Sequence, residues 1–208
     1  MKFIYKSRPP FLLILRLAKY DIDEVDHYLT SVEETHDSRL DNLRKLLESE
    51  KTDGLEDRLA DDLAQLDDFA MIASEFAIIG LWRSVELYRG RAILATLDEK
   101  GAGIAFKNKK FVEHLTNLGI AEDTLSYAGS VNELRCLNNA IKHTRRVTGE
   151  LSKFASWRKK KGEDLGNLSS HYRRLKPLTA EYLENLTEHF NEWWKKKTAQ
   201  RGSAVNRP

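Results

Sequence analysis

The stretch from Asn132 to His143, which reads Asn-Glu-Leu-Arg-Cys-Leu-Asn-Asn-Ala-Ile-Lys-His and continues into Thr144, Arg145 and Arg146, gathers the groups most able to do chemistry. Read as a helix, its Leu134, Leu137 and Ile141 fall on one apolar stripe, while Arg135, Asn139, His143 and Arg146 project from the other side. One helix therefore anchors itself in a core and presents amide, imidazole and guanidinium groups together near its C-terminal end. Those groups suit a phosphate, RNA or a nucleotide. Guanidinium groups and amides donate to phosphate oxygens, and histidine is the side chain whose ordinary pKa lets it take and return a proton near neutral pH.

The elements that must position this helix are themselves helical. A long periodic pattern from about Leu55 to Leu97 carries Leu59, Leu63, Leu66, Ala70 and Ala73 into Phe76, Ala77, Gly80, Leu81, Val85 and Tyr88. From Phe69 to Trp82 it is apolar nearly all round, which predicts the buried central element of the core. Gly80, costing about 1 kcal/mol of helix propensity, is expected where two helices approach closely. An acidic helical pattern precedes it, from about Leu12 to Glu50, with a break expected near Thr35 to Ser38. Lys51 to Gly54 reads as a turn with Asp53 as the next N-cap. Gly101 to Gly103 ends the long helix, and a short helix over about Lys109 to Leu118 stops at Gly119. The helix bearing His143 starts near Ser130. Thr148 to Leu168 is expected to be a mobile loop, and a last helix runs from Ser170 or Pro177 to Lys197. Lys2 to Tyr5 is the one weak strand candidate. The fold class is all-α, a helical bundle around a long central helix. Residues 1–54 form an acidic helical segment packed on the core, 55–198 the main domain and 199–208 a disordered tail.

A chain of 208 residues, 41% hydrophobic and 32% charged, suits one good-sized domain. Cys136, the single cysteine, excludes an intrachain disulfide and a cysteine-based metal site, and its place beside the apolar stripe marks it as a small core residue. The apolar run at Phe11 to Leu15 is too short for a signal peptide or a membrane span, so no membrane and a cytoplasmic location are expected. The net charge of +2 hides an asymmetry. Between Asp21 and Glu75 there are about 18 acids against 5 bases, and from Gly101 onward about 20 bases against 11 acids. The acidic half could meet a basic partner or the basic half of a second copy; the basic half could meet phosphates. The remaining histidines lack a second ligand at metal spacing, so no metal and no cofactor are expected. No phosphate-binding glycine loop, serine elbow or dinucleotide fingerprint occurs.

A long core helix, a short helix, a loop and a helix ending in a polar residue, spacer and histidine resemble the HEPN superfamily over roughly Leu55 to Lys197. The resemblance rests on Leu137 to His143, with His114 to Ile120 and Val131 to Leu134 as supporting phrases. It implies a metal-independent endoribonuclease of toxin or phage-defence type, or a relative that binds RNA or nucleotides without cleaving. It also implies a homodimer whose two motifs meet in one cleft, and an antitoxin or other protein partner. On this likeness His143 matches the family histidine and Asn139 its polar companion. The motif is degenerate: Asn138 stands where the catalytic arginine is expected, and Arg145 where some toxin members carry a tyrosine.

Two readings of the residues stand beside each other. In the first, His143 is the general acid and base for attack of a ribose 2′-hydroxyl on phosphorus, Lys142 or Arg145 or Arg146 replaces the missing arginine, and Asn138 and Asn139 position the phosphate. Eight helical residues separate Arg135 from His143, an axial rise of about 12 Å, so these two do not share one phosphate. Arg135, Arg145, Arg146, Lys159, Lys160 and Lys161 would bind RNA, extended by Lys153, Arg158, Arg173, Arg174 and Lys176, with Trp157 or Tyr172 stacking on bases. In the second reading the protein is a non-catalytic helical dimer or partner-binding module. Glu75, Arg83, Glu86 and Arg89 are expected to face the helix of His143, chiefly as ion pairs.

Overall fold

Strong helix formers at many solvent positions and apolar residues at three- and four-residue steps produce long helices here, and their packing creates the core. The computed structural model describes residues 9–49, 55–96 and 107–205. They form α1 (Phe11–Ser49), α2 (Leu55–Thr96), α3 (Asn108–Asn117), α4 (Ala128–His143) and α5 (Leu168–Val205). Among the described residues there is no strand, only an isolated antiparallel bridge between Arg146 and Asp164. The fold is an all-α bundle. No helix among them is long and apolar enough to cross a membrane. Asp53, Gly101 to Gly103 and Lys2 to Tyr5 lie outside the described residues.

The core joins α1, α2, α4 and α5. Phe11, Ala18, Ile22 and Leu29 of α1 meet Ala77, Leu81, Val85 and Tyr88 of α2, and Leu134 and Leu137 of α4 and Leu183 and Phe190 of α5 complete the cluster. Phe11 stacks on Phe190 with centroids 5.0 Å apart. Ion pairs tie the acidic first helix to the basic last one: Lys176 to Asp26 at 2.6 Å, Arg173 to Glu33 and Lys19 to Glu184. Arg89 is buried among the rings of Phe111, Trp82 and Tyr182, and its guanidinium donates to Asn108 Oδ1 at 2.8 Å and to the Tyr182 hydroxyl at 3.1 Å.

Four expectations are corrected. The break near Thr35 does not occur: α1 runs unbroken through it, with the Thr35 hydroxyl donating back to the Ser31 carbonyl at 2.8 Å, as threonine does inside a helix, and the His36 ring 3.4 Å from Asp67 of α2. The last helix begins at Leu168 and passes straight through Pro177; the proline removes one backbone donor, while Tyr172 and Leu175 before it and Thr179 and Tyr182 after it are buried in the same packing. The helix then continues through Val205 instead of ending at a disordered tail from residue 199. Good helix formers at Ala199, Gln200 and Arg201 carry it on. Finally, the segment from Phe69 to Trp82 is not buried all round. Phe69, Ile72 and Phe76 are 68%, 40% and 58% exposed, since α1 and α5 cover only the opposite side of α2.

Gly80 marks the close approach of α1 to α2. A Cβ built there would stand 2.7 Å from Val25 Cγ2, and valine's stiff side chain yields little. Gly80→Ala is expected to lower the stability by about 1–2 kcal/mol, the overpacking cost exceeding the gain in helix propensity. Chemical denaturation reads it, and adding Val25→Ala should restore most of the stability.

Candidate functional site

The first turn of α4 follows Tyr127, which adopts a left-handed backbone (φ 61°), and no side chain caps it. Val131, Leu134, Leu137, Ala140 and Ile141 then face the core, with Glu133, Cys136 and Asn138 buried beside them. Asn139, Lys142 and His143 are exposed along the last turns. Arg145 closes the helix in the left-handed region (φ 51°), its amide donating to the Ala140 carbonyl at 2.8 Å. Glycine usually fills this position, and another residue there costs roughly 1–2 kcal/mol. The Arg145 guanidinium donates to Glu75 of α2 at 2.6 Å, which holds the turn in place.

The segment after α4 is ordered, which corrects the mobile loop expected over Thr148 to Leu168. Val147 donates to the Glu163 carbonyl and Gly162 to the Val147 carbonyl, each at 2.9 Å, and Leu165 to the Arg145 carbonyl at 3.1 Å. Short 3-10 turns span Leu151–Lys153 and Ala155–Trp157. The anchor is Trp157, 1% exposed, whose indole Nε1 donates to Glu133 of α4 at 2.9 Å and whose ring stacks on His171 of α5 with centroids 4.0 Å apart. Glu133 also accepts from Arg174 at 2.6 and 3.3 Å. A buried carboxylate needs such donors, and here three side chains from three segments meet at one place.

The residues expected at the site divide into those the fold brings together and those it does not. The stretch after α4 runs antiparallel to 162–165, with Arg145 paired to Leu165, Arg146 to Asp164 and Val147 to Gly162 and Glu163, so Lys159, Lys160 and Lys161 continue past Val147 on the side away from Lys142 and His143. Lys160 Nζ lies 5.9 Å from the Trp157 ring, and Lys161 folds over Gly149. Acids are interleaved: Arg146 Nε donates to Asp164 at 3.2 Å, and Glu150 and Glu163 lie in the same stretch. Arg135 points elsewhere. It donates to Asn132 at 3.0 Å and stands 3.7 Å from Glu150, so it does not join His143. Asn138 is 1% exposed, its amide donating to Asn139 at 3.4 Å, and it does not reach the surface where a phosphate would sit.

Other expectations fail for lack of exposure or of free charge. Trp157 and Tyr172 are buried and cannot stack on bases. Arg173, Arg174 and Lys176 turn toward Glu33, Glu133 and Asp26 instead of extending the basic surface. Of the four residues expected to face α4, Glu75 pairs with Arg145 just beyond its end and Arg89 borders a cleft with Asn132 and Arg135 of α4 while pairing with Glu122 at 3.4 Å, whereas Arg83 pairs with Glu86 at 3.4 Å along α2. Cys136 is buried, and burial pushes its thiol up, away from thiolate chemistry. Among the described residues no group of three or more His, Cys, Asp or Glu is placed to hold a metal ion. The cluster of Glu133, His171 and Arg174 is not evident from sequence. Its one signal is Glu133 itself, one turn before Leu137 on the apolar face. No protein-family model, curated protein or solved structure matches this chain.

Burial, then the Arg174 guanidinium, push the His171 imidazole below its ordinary pKa, against the pull of Glu133 and with Lys160 adding to the fall. Burial does the same to His114. Both rings therefore stay neutral in the folded protein while the unfolded chain takes up protons below about pH 6.5. Stability should fall as the pH drops from about 7.5 through the unfolded value and level off below the folded one. Denaturant midpoints across that range read the slope. His171→Phe, which keeps a ring on Trp157, should flatten it and leave the share of His114. A midpoint that rises on acidification contradicts the assignment.

Proposed function

We propose that this protein binds RNA through the basic surface at the C-terminal end of α4, with His143 as the acid and base of a metal-independent cleavage there. The observation that supports this best is that Asn139, Lys142, His143 and Arg146 are exposed together at the end of α4, with Lys159 to Lys161 exposed further along the ordered segment that pairs back across Val147. A surface held by its own backbone meets a phosphate chain with little ordering left to do. In this reading Asn139 and Lys142 position a phosphate beside His143, Arg146 and the three lysines engage its neighbours, and Arg135 and Asn138 take no direct part. The toxin or phage-defence role, the homodimer and the antitoxin partner that the HEPN likeness implies belong to the same proposal. A second reading, a partner-binding helical module without catalysis, is favoured by the exposed Phe69, Ile72 and Phe76 of α2.

Two measurements separate these. RNA affinity should fall linearly with salt on logarithmic axes. Replacing Lys159, Lys160 and Lys161 together by alanine should shrink the slope by about 0.7 for each single-strand phosphate no longer neutralised. No affinity at low salt contradicts RNA binding. His143→Ala should abolish chelator-insensitive cleavage while leaving affinity within about twofold, because one exposed imidazole adds little to binding. Cleavage unchanged by that substitution removes His143 from the chemistry, and binding without cleavage by the native chain leaves a binding protein only.

A further inference from the structure

Where α3 leads into α4, the chain leaves a cleft of about 270 Å³ against α2, at the opposite end of α4 from His143. Trp82 and Arg89 of α2, Asn108 of α3, Glu122 and Asp123 of the connecting turn, and Gly129, Asn132 and Arg135 of α4 border it. Its polar groups are incompletely met. Arg89 is 2% exposed, and although Asn108, Tyr182 and Glu122 take its two terminal nitrogens, its Nε is buried without a partner. A buried donor left unmet is costly unless something compensates. Arg135 directs Nε to Asn132 and Nη2 to the Cys136 sulfur and Glu150, so Nη1 has no partner among the described residues. Both α3 and α4 begin at this cleft, and no side chain caps either. The Gly129 amide is thus unmet at the positive end of the α4 dipole. Of the two acids, Glu122 pairs with Arg89 at 3.4 Å, and Asp123 forms no ion pair among the described residues.

We propose that this cleft binds a small zwitterion of the free α-amino-acid class, its carboxylate against the start of α4 and Arg135 and its ammonium against Asp123. The balance of charge selects that ligand. Two guanidinium groups and two carboxylates line the walls, so a phosphate meets as much repulsion as attraction. A molecule with one charge of each sign satisfies both. Helix N-termini and arginine are the natural receivers of a carboxylate. Arg89, fixed among its rings, adds positive charge from beneath, where low-dielectric surroundings strengthen it. Asn132 offers a neutral amide beside Arg135, and Trp82 gives an apolar wall for the ligand's side chain. The volume agrees, being smaller than the roughly 300–1,000 Å³ that drug-sized ligands occupy. This site shares no residue with the RNA-binding surface proposed above in its final form, so either can fail alone.

The test titrates glycine, L-leucine and L-phenylalanine into the full chain by calorimetry, beside acetate, ethylamine and inorganic phosphate. At least one amino acid should bind saturably with a Kd of about 1 mM or below. Acetate and ethylamine should bind at least ~10-fold more weakly, since each leaves one sign of the cleft's charge unmet. Arg135→Gln and Asp123→Asn should each weaken amino-acid binding by about 10-fold or more. Neither side chain is buried, so both variants should keep native helicity. Lys195→Gln, an exposed change of the same charge outside the cleft, should leave the affinity as it is. In NMR spectra the Gly129 and Ser130 amides should shift on binding to the native chain, and not at the same ligand concentration in Arg135→Gln. No saturable binding of any of the three amino acids overturns the proposal. So does phosphate binding more tightly than all of them, or an affinity indifferent to both cleft substitutions.

Discussion

Glu133 is the residue on which the region around His143 depends. Its carboxylate lies on the core side of α4 and accepts from the Trp157 indole and from both terminal nitrogens of Arg174. Burying a carboxylate is costly unless its oxygens are met, and a buried pair broken on one side typically costs about 3–5 kcal/mol. The interaction works in three directions at once. It pulls the segment after α4 inward through Trp157, fixes the start of α5 through Arg174, and leaves His171 stacked on the indole. Once Trp157 is seated, the short backbone pairing between 145–147 and 162–165 closes over it, and Lys159 to Lys161 have nowhere to go but outward.

The division of charge along the chain then has a structural meaning. The basic residues near the start of α5 pair with the acidic first helix, through Asp26 and Glu33, and with Glu133. Other basic residues gather at the end of α4 and in the segment that folds back beside it. Arg145 joins this cluster to α2 by a pair with Glu75, from a left-handed backbone. The cluster is therefore a product of the packing, since the same residues spread along an extended chain would present no surface.

Much of the architecture is legible from periodicity. The stripe of Leu134, Leu137 and Ile141 predicts which side of α4 is buried, and the long pattern from Leu55 predicts α2, helical throughout the described Leu55–Thr96. The failures share a cause: they concern partners far away in sequence. A lysine-rich stretch with glycines reads as a loose loop until the indole of Trp157 finds a carboxylate, and only the position of Glu133 on an apolar face hints at one. A helix apolar on all sides reads as central, yet which side is covered depends on how many helices pack against it. Asn138 and Asn139 are adjacent in sequence, but Asn138 falls four residues after Leu134 and three before Ile141 on the buried side, and Asn139 one step round on the exposed side.

Glu133 locks the segment after α4 into a fixed basic surface, and everything proposed for His143 rests on that lock. Hydrogen exchange at the amides of Val147, Gly162 and Leu165 tests it most directly, in the native chain and in Glu133→Ala. Protection of these three amides is expected in the native chain, and its disappearance in the variant while α2 remains protected. Amides that exchange in the native chain as fast as in an unfolded peptide, or that keep their protection without Glu133, would contradict it.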